Sequence, residues 1–270
     1  MLLRQIELMS IPAKEHGFPF QLPFVKAFST LEFTSPITFL VGENGSGKST
    51  FLETIACASG SVTIGSQSVL HDPTLENVRA LAKYARLTWS KRTKKGFFMR
   101  AEDFFGFAKY IAQVKAEMSA DLRDVDHEYK SRSGMAKALA SLPYRNELAA
   151  LEQAYGGGLD ENSHGEGFFK LFRARFNGEG LYLIDEPEAA LSPNRQLTLL
   201  VMLRMMMKQG AQFIIATHSP ILMAYPNATI LSFDGGNIQP VDYETLEHVV
   251  VTRNFLENPQ RFLDVLFDDE

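Results

Sequence analysis

The stretch that decides the fold is Gly42-Glu43-Asn44-Gly45-Ser46-Gly47-Lys48-Ser49-Thr50. It fits the pattern G-x-x-x-x-G-K-S/T, in which glycines let the backbone wind around a phosphate chain with its N–H groups pointing inward. The lysine then reaches the phosphates, and the hydroxyl that follows it can bind a metal ion. The apolar run that precedes the loop, Ile37 to Val41, predicts a buried parallel strand.

The residues after the loop predict a helix, because apolar side chains recur at helical spacing from Ser49 to Ala56. Phosphates in the loop would then lie at the N-terminus of this helix, where free N–H groups and the macrodipole favour negative charge. Strand, loop and helix together predict nucleotide binding.

Polar residues follow two further apolar runs. Asp185 follows Leu181 to Ile184, at the carboxyl end of a predicted strand, the edge where open α/β sheets bind ligands. There Asp185 can hold Mg²⁺, and Glu186 can orient or deprotonate the water that attacks a γ-phosphate. His218 follows a strand at the same edge, where a neutral imidazole can hydrogen-bond that phosphate. A helix N-cap for the acidic pair and a structural role for the histidine are the alternatives, and the phosphate loop upstream favours the functional interpretation.

Composition indicates an ordinary folded protein. The chain has 270 residues, 45% hydrophobic residues and a formal net charge of −5, which argues against disorder and against a surface that coats nucleic acid generally. Cys57 is the only cysteine, which excludes internal disulfides and favours a reducing compartment, so we expect a cytoplasmic location. The charged N-terminus predicts a first strand, and no segment approaches the roughly 20 apolar residues of a membrane span.

The order of predicted elements indicates an α/β domain interrupted by a helical lobe. We expect one domain over residues 1–270, with an α/β nucleotide-binding lobe from 1–100 and 177–270 and a helical signature lobe at 101–176. Helices are predicted at 77–87, 101–123, 141–155 and 193–208. Strands are predicted at 181–184, 212–216 and 228–233, with a hinge at Gly156 to Gly158 and a turn at Gly235-Gly236.

The phosphate loop, the segment from Asp185 to Pro193 (DEPEAALSP) and the segment from Ala216 to Pro220 (ATHSP) together resemble an ABC-type ATPase of the small soluble bacterial AAA-family class. The resemblance implies a P-loop NTPase fold with a mixed or parallel sheet, and ATP and Mg²⁺ as cofactors. It implies ATP hydrolysis with these roles: ATP binding by Gly42, Glu43, Asn44, Gly45, Ser46, Gly47, Lys48, Ser49 and Thr50; Mg²⁺ binding by Ser49 and Asp185; catalysis by Lys48, Glu186 and His218; and a D-loop at Leu191 and Ser192.

The family's signature segment, usually Leu-Ser-Gly-Gly-Gln, would lie at Asn162-Ser163-His164-Gly165-Glu166-Gly167. The resemblance assigns Ser163, Gly165 and Glu166 to the γ-phosphate held by the opposite subunit, which implies a head-to-tail homodimer that encloses two ATP molecules. Ser163 and Glu166 also fit a capping box before an apolar helix, and the two interpretations are compatible.

Two family elements are not matched clearly. The place of the usual glutamine holds Phe97 to Glu102, where Arg100 or Glu102 would substitute. The aromatic residue expected to stack on adenine would be Phe18 or Phe20, although simple packing explains both equally well.

One stretch of the chain is strongly basic. From Arg79 to Arg100 there are eight basic residues and no acidic one. Arg79, Lys83 and Arg86 are predicted to share one helical face near Trp89, which would suit a phosphodiester backbone. A solvated face or a contact with an effector protein remains the alternative.

Three functions remain in order of preference. The first is a soluble ATP-hydrolysing dimer that drives a process directed at nucleic acid or a partner protein, of the repair or defence type. The second is the ATP-binding subunit of an ABC membrane transporter. The third is a non-catalytic ATP-dependent switch.

Overall fold

The computed structural model describes residues 1–64, 68–155 and 164–267. Its strands are β1 (Leu3–Leu8), β2 (Thr30–Glu32), β3 (Ile37–Val41), β4 (Ala85–Trp89), β5 (Gly96–Arg100), β6 (Leu181–Asp185), β7 (Gln212–Ala216), β8 (Thr229–Ser232) and β9 (Gln239–Pro240). Its helices are α1 (Pro23–Ala27), α2 (Lys48–Ser59), α3 (Glu76–Ala82), α4 (Ala101–Glu128), α5 (Gly134–Tyr155), α6 (His164–Arg175), α7 (Pro193–Met207), α8 (Pro220–Met223), α9 (Glu247–Glu257) and α10 (Pro259–Phe267).

The main sheet has the strand order β5-β6-β7-β3-β8-β9. Its neighbouring strands pair in parallel from β5 to β8, and β9 runs antiparallel to β8. Strand β7 lies between β3 and β6, so the carboxyl ends of these three strands meet at one edge of the sheet. The predicted α/β fold, with the phosphate-loop strand in a mixed sheet, is confirmed.

Both faces of the main sheet are buried, which explains the uninterrupted apolar runs. Alternate side chains point to opposite faces. Along β6, Tyr182 and Ile184 join the core beneath α4, α6 and α7, whereas Leu181 and Leu183 join the core beneath α2 and α3.

A small antiparallel sheet, β2-β1-β4, lies on the α2 side. Gln212 at the start of β7 connects the two sheets. Its Oε1 atom accepts hydrogen bonds from the N–H groups of Leu2 and Leu3 at 2.8 Å each, and its Nε2 atom donates to the carbonyl of Leu3 at 2.9 Å. This buried amide therefore fixes β1 against the main sheet.

The helical predictions are confirmed for 101–123 and 141–155, which lie within α4 and α5, and for 193–208, which matches α7 to within one residue. The prediction of one helix over 77–87 is wrong beyond Ala82, because residues from Ala85 onward form β4. Pairing with β1 overrides the helical propensity there, since β4 adds an edge strand to the small sheet. Within the described ranges, no helix is both long and apolar enough to cross a membrane.

Candidate nucleotide-binding site

The phosphate loop connects β3 to α2, as predicted. Gly42 and Gly47 have φ angles of 137° and 103°, in the region that favours glycine. A Cβ atom on Gly47 would lie 2.6 Å from the ring of Phe24, and one on Gly42 would lie 2.8 Å from Oδ1 of Asp234. Glycine is therefore required at both positions by backbone conformation and by space.

Asp234 fixes the start of the loop. Its Oδ1 atom accepts a hydrogen bond from the N–H of Glu43 at 2.8 Å, and its Oδ2 atom accepts one from the hydroxyl of Ser232 at 2.9 Å. Asp234 was not predicted from the sequence. Its place directly after an apolar strand and before Gly235-Gly236 is the signal that could have found it.

Lys48 is the first residue of α2 and is buried. Its Nζ atom donates to the carbonyl oxygens of Gly42 at 2.7 Å and Glu43 at 2.8 Å. Burial lowers the pKa of Lys48, and the carboxylates of Glu186 and Asp185 oppose that shift. The ammonium group of Lys48 therefore lies inside the phosphate loop, on the side of Asp185 and Glu186 at the end of β6.

Asp185 ends β6 and is 8% exposed. Its Oδ1 atom is buried without a hydrogen-bond partner, and the Ser49 hydroxyl lies beside the carboxylate. Burial raises the pKa of Asp185 to about 6, although the neighbouring Ser49 hydroxyl opposes the shift. A hydroxyl beside a buried, unsatisfied carboxylate oxygen matches the hard oxygen ligands that Mg²⁺ prefers, so these residues fit the expected ion. Among the described residues no larger cluster of metal-binding side chains is found, so phosphate and water oxygens would complete the coordination.

Glu186 and His218 lie side by side at the ends of β6 and β7. The Nε2 atom of His218 is 3.7 Å from Oε1 of Glu186 and has no hydrogen-bond partner. The N–H of Glu186 donates to the carbonyl of Ala216 at 2.9 Å, which joins the two strand ends. Glu186 also has a φ of 48°, a costly backbone conformation for a residue other than glycine and one that is frequent at active sites.

Glu188 supports the histidine segment and was not identified from the sequence. Its Oε1 atom accepts a hydrogen bond from the N–H of His218 at 2.6 Å, and its Oε2 atom accepts one from the Thr217 hydroxyl at 2.8 Å. Burial raises the pKa of Glu188, and these two bonds act in the opposite direction.

The two candidate aromatic residues have different surroundings. Phe18 is 49% exposed and lines a cavity of about 170 Å³ together with the phosphate loop and Glu186. Phe20 is buried and packs edge-on against Tyr84, with ring centroids 6.2 Å apart. Only Phe18 of this pair is therefore in a position to contact a nucleotide.

Arg100 ends β5 and pairs in register with Asp185. Its side chain is surrounded by carboxylates: those of Asp72 at 2.8 Å, Asp103 at 2.9 Å, Glu102 at 3.2 Å and Glu53 at 3.7 Å. Arg100 therefore connects the phosphate-loop helix, which carries Glu53, to the start of α4. The side chain of Glu102 is 71% exposed.

The basic stretch does not form the predicted helical face. Arg79 lies on α3, whereas Arg86 lies on β4. Arg79 donates to the carbonyls of Val69 and Asp72, Arg86 pairs with Glu7, and Lys91 pairs with Glu179. The exposed basic side chains that precede β5 instead follow one another along a loop: Lys91, Arg92, Lys94 and Lys95.

Several predicted features lie at or beyond the limits of the described residues. Ser163, the predicted hinge at Gly156 to Gly158 and the last three residues lie outside them. Gly165 and Glu166 fall in the first turn of α6. At the predicted D-loop, Leu191 is buried, and the exposed Ser192 is the N-cap of α7.

Two family models match the chain. Residues 22–141 match one described as "AAA domain", and residues 148–224 match one described as "AAA domain, putative AbiEii toxin, Type IV TA system". The chain is also similar to the macrolide export ATP-binding/permease protein MacB of Hahella chejuensis, with 25% identity over 80% of this chain. It has 26% identity over 73% of its length to MacB of Vibrio parahaemolyticus. The chain spans 31% and 28% of the length of these two relatives, respectively.

Solved structures give weaker likenesses. One is the Smc head domain of Pyrococcus furiosus bound to the C-terminal domain of ScpA, with 13% identity and a TM-score of 0.46 over 96% of this chain and 99% of that one. Another is a nucleotide-free ATP-binding cassette from an ABC transporter, with 15% identity and a TM-score of 0.44 over the whole of both chains. The two AAA-domain models match successive segments of the chain, and the phosphate loop lies in the first segment and the Asp185 end of β6 in the second, so both parts of the candidate site lie in segments similar to AAA domains.

Proposed function

We propose that the chain binds and hydrolyses ATP as a head-to-tail homodimer that encloses two nucleotides, and that this cycle drives a process on nucleic acid or a partner protein. The observation that supports hydrolysis is the convergence of four side chains at one sheet edge, those of Lys48, Asp185, Glu186 and His218. They come from three separate segments of the chain: Oδ1 of Asp185 and Nε2 of His218 have no hydrogen-bond partner, Lys48 donates only to loop carbonyls, and Glu186 lies beside His218.

Binding is assigned to residues 42–50. Six residues of the loop and of the first turn of α2 line the cavity of about 170 Å³, at a helix N-terminus where free N–H groups favour phosphate, and Lys48 adds positive charge. The carbonyl bonds that Lys48 makes within the loop are exchanged for phosphate oxygens when ATP binds. Phe18 is assigned to the base, since an exposed aromatic ring beside the loop offers a stacking surface.

The proposed metal site consists of Ser49 and Asp185. Mg²⁺ bound there would neutralise charge on the phosphate oxygens. Asp185 is buried, and its Oδ1 atom has no hydrogen-bond partner, so we assign that oxygen to the ion beside Ser49.

Glu186 and His218 are assigned to the chemical step. The Glu186 carboxylate is 44% exposed, so water can reach it, and it can orient or deprotonate the attacking molecule. The unpartnered Nε2 atom of His218 can hydrogen-bond the γ-phosphate and hold it for in-line attack. The 3.7 Å separation of Nε2 of His218 and Oε1 of Glu186 supports a shared role at one reacting centre.

The proposed dimer would complete each site with Ser163, Gly165 and Glu166 of the partner subunit. In this proposal residues 1–100 and 177–270 form the nucleotide-binding lobe, and residues 101–176 carry the signature. The exposed loop from Lys91 to Lys95 is the proposed contact for a polyanionic partner, and a cytoplasmic location suits both the partner and the supply of ATP.

A second candidate function is the ATP-binding subunit of a transporter. The similarity to MacB, an ATP-binding/permease protein, favours it, and the chain corresponds to less than a third of that protein's length. The two candidates differ in the partner required, because the transporter subunit would be stimulated by a membrane protein and the first candidate by nucleic acid or a protein effector.

Steady-state hydrolysis of Mg-ATP measured against protein concentration tests the proposal, with Glu186→Gln as the inactive control. We expect specific activity to rise with concentration and to vanish in the variant, which retains ATP and accumulates as a nucleotide-bound dimer. Bound ATP without turnover at any concentration would contradict self-sufficient hydrolysis by the homodimer. Adding duplex DNA or membrane vesicles then separates the candidate partners.

A further inference from the structure

A continuous chain of hydrogen bonds links the D-loop to the segment that carries His218. The Nε2 atom of Gln196, on α7, donates to the carbonyl of Leu191 at 3.1 Å. Its Oε1 atom accepts a hydrogen bond from the hydroxyl of Ser219. The N–H of Ser219 in turn donates to the Thr217 hydroxyl oxygen at 3.0 Å.

The chain continues from Thr217 to Glu188 and returns to the histidine. The Thr217 hydroxyl donates to Oε2 of Glu188 at 2.8 Å, and Oε1 of Glu188 accepts from the N–H of His218 at 2.6 Å. Glu188 and Leu191 belong to the same turn after Glu186. The network therefore connects that turn to the His218 segment at two points, through Leu191 and through Glu188.

The network leaves little conformational freedom. Leu191, Gln196, Thr217 and Ser219 are buried, and both side-chain oxygens of Glu188 and both polar atoms of the Gln196 amide have partners. Breaking one bond would leave a buried polar group without a partner, which is energetically unfavourable. The backbone of His218 is therefore held in a fixed position relative to the turn that follows Glu186.

We propose that Glu188 and Gln196 are positioning residues that hold His218 beside Glu186 and make its position depend on the conformation of the Leu191-Ser192 turn. The catalytic consequence rests on the proposed function. Ser192 is exposed immediately after Leu191, so a partner that contacts Ser192 can displace the Leu191 carbonyl. Gln196 and Ser219 then transmit that displacement to the His218 backbone. Hydrolysis thereby becomes sensitive to whether the surface at Ser192 is covered.

The proposal can be tested with substitutions that remove or retain particular hydrogen bonds of Glu188 and Gln196. Glu188→Ala removes both acceptors, whereas Glu188→Gln retains an oxygen for the His218 N–H and an amide that can donate to Thr217. Gln196→Met preserves the length of the side chain and removes both of its hydrogen bonds. Glu244→Ala, which removes a surface ion pair with Arg253, is the matched control.

The first readout is independent of hydrolysis. Histidine-selective NMR of the nucleotide-free protein, with the His218 signal assigned by His218→Asn, reports directly on the imidazole. We expect that signal to shift or broaden in Glu188→Ala and Gln196→Met and to stay in place in Glu244→Ala. An unchanged signal in folded Glu188→Ala overturns the proposal, whether or not the protein hydrolyses ATP.

The second readout separates positioning from a loss of binding. In Glu188→Ala and Gln196→Met we expect kcat to fall about ten-fold or more, because small displacements of a catalytic group have large effects, while KM stays within about two-fold. Glu188→Gln should recover most of the lost rate.

If Glu188→Ala does not fold, Thr217→Val replaces it, since it removes the central hydroxyl from a side chain of the same shape. An equal loss of kcat in Glu188→Gln and Glu188→Ala, or a change confined to KM, contradicts the positioning role. If the wild-type protein shows no hydrolysis, the proposed function fails and the NMR readout still decides this inference.

Discussion

The carboxylate of Asp234 holds the start of the phosphate loop, since its Oδ1 atom accepts a 2.8 Å hydrogen bond from the N–H of Glu43. The same oxygen occupies the space that a side chain on Gly42 would need. The shape of the loop therefore depends on a residue 191 positions away in the sequence.

Asp234→Ala should weaken ATP binding about two- to ten-fold, because one solvent-exposed hydrogen bond contributes about 0.5–1.5 kcal/mol net and its loss leaves the loop entrance less ordered. Asp234→Asn is the matched control, since its amide oxygen can still accept from Glu43. Titration of a fluorescent ATP analogue measures both affinities. Equal affinities for wild type and the alanine variant would show that the loop keeps its shape without Asp234.

Lys48→Ala should weaken ATP binding more strongly, by about ten- to hundred-fold, since charge-assisted hydrogen bonds contribute about 1.5–3 kcal/mol. The structure supports this expectation because the ammonium group already lies among the loop carbonyls that surround the phosphate position. Lys208→Ala, at an exposed lysine after α7, is the control. Calorimetric titration measures the difference, and unchanged affinity would count against the assignment of this loop to phosphate binding.

The parts of the site that could be predicted from the sequence are those encoded locally. Residues 42–50 contain the glycines, the lysine and the hydroxyl in one loop. The runs before Asp185 and His218 are uninterrupted because parallel strands are buried on both faces. Placing each polar residue at a strand end was therefore enough to predict that they share one edge.

The supporting residues could not be predicted in this way. Asp234 acts on Glu43 and Gln196 acts on Ser219, contacts that depend on how distant elements pack. The strand over Ala85 to Leu87 was missed for a related reason: its pairing with β1 is a long-range contact, and the residues themselves favour helix as readily as strand.

Glu53 gives a testable pH dependence of stability. Burial raises the pKa of Glu53 to about 7 from an ordinary value near 4.5. Arg100 opposes this shift less strongly, because its guanidinium also pairs with Asp72 and Asp103. Because the folded-state pKa is above the unfolded one, the protonated carboxyl stabilises the fold fully below about pH 4.5, and this contribution is lost as pH rises through 7.

Glu53→Gln, which stays neutral, should therefore gain stability relative to wild type as the pH rises from 4.5 to 7, the range between the two pKa values. A shift of this size corresponds to a relative gain on the order of 2 kcal/mol once the partial exposure of the group is allowed for. Urea unfolding at a series of pH values measures the difference. A difference between the two proteins that does not vary with pH would contradict the raised pKa.

Phe18 provides a test of where the base of the nucleotide lies. Its ring is half exposed beside the phosphate loop, whereas Phe20 is packed against Tyr84 and is unavailable. Stacking of a base on an aromatic side chain is worth about 1–3 kcal/mol, so Phe18→Ala should weaken ATP binding about five- to hundred-fold, and Phe18→Tyr should retain it. Because inorganic tripolyphosphate has no base, its affinity should be the same in all three proteins. Competition titrations with ATP and with tripolyphosphate make the comparison: a loss confined to ATP places the base on Phe18, whereas equal losses for both ligands would mean that Phe18 supports the loop instead.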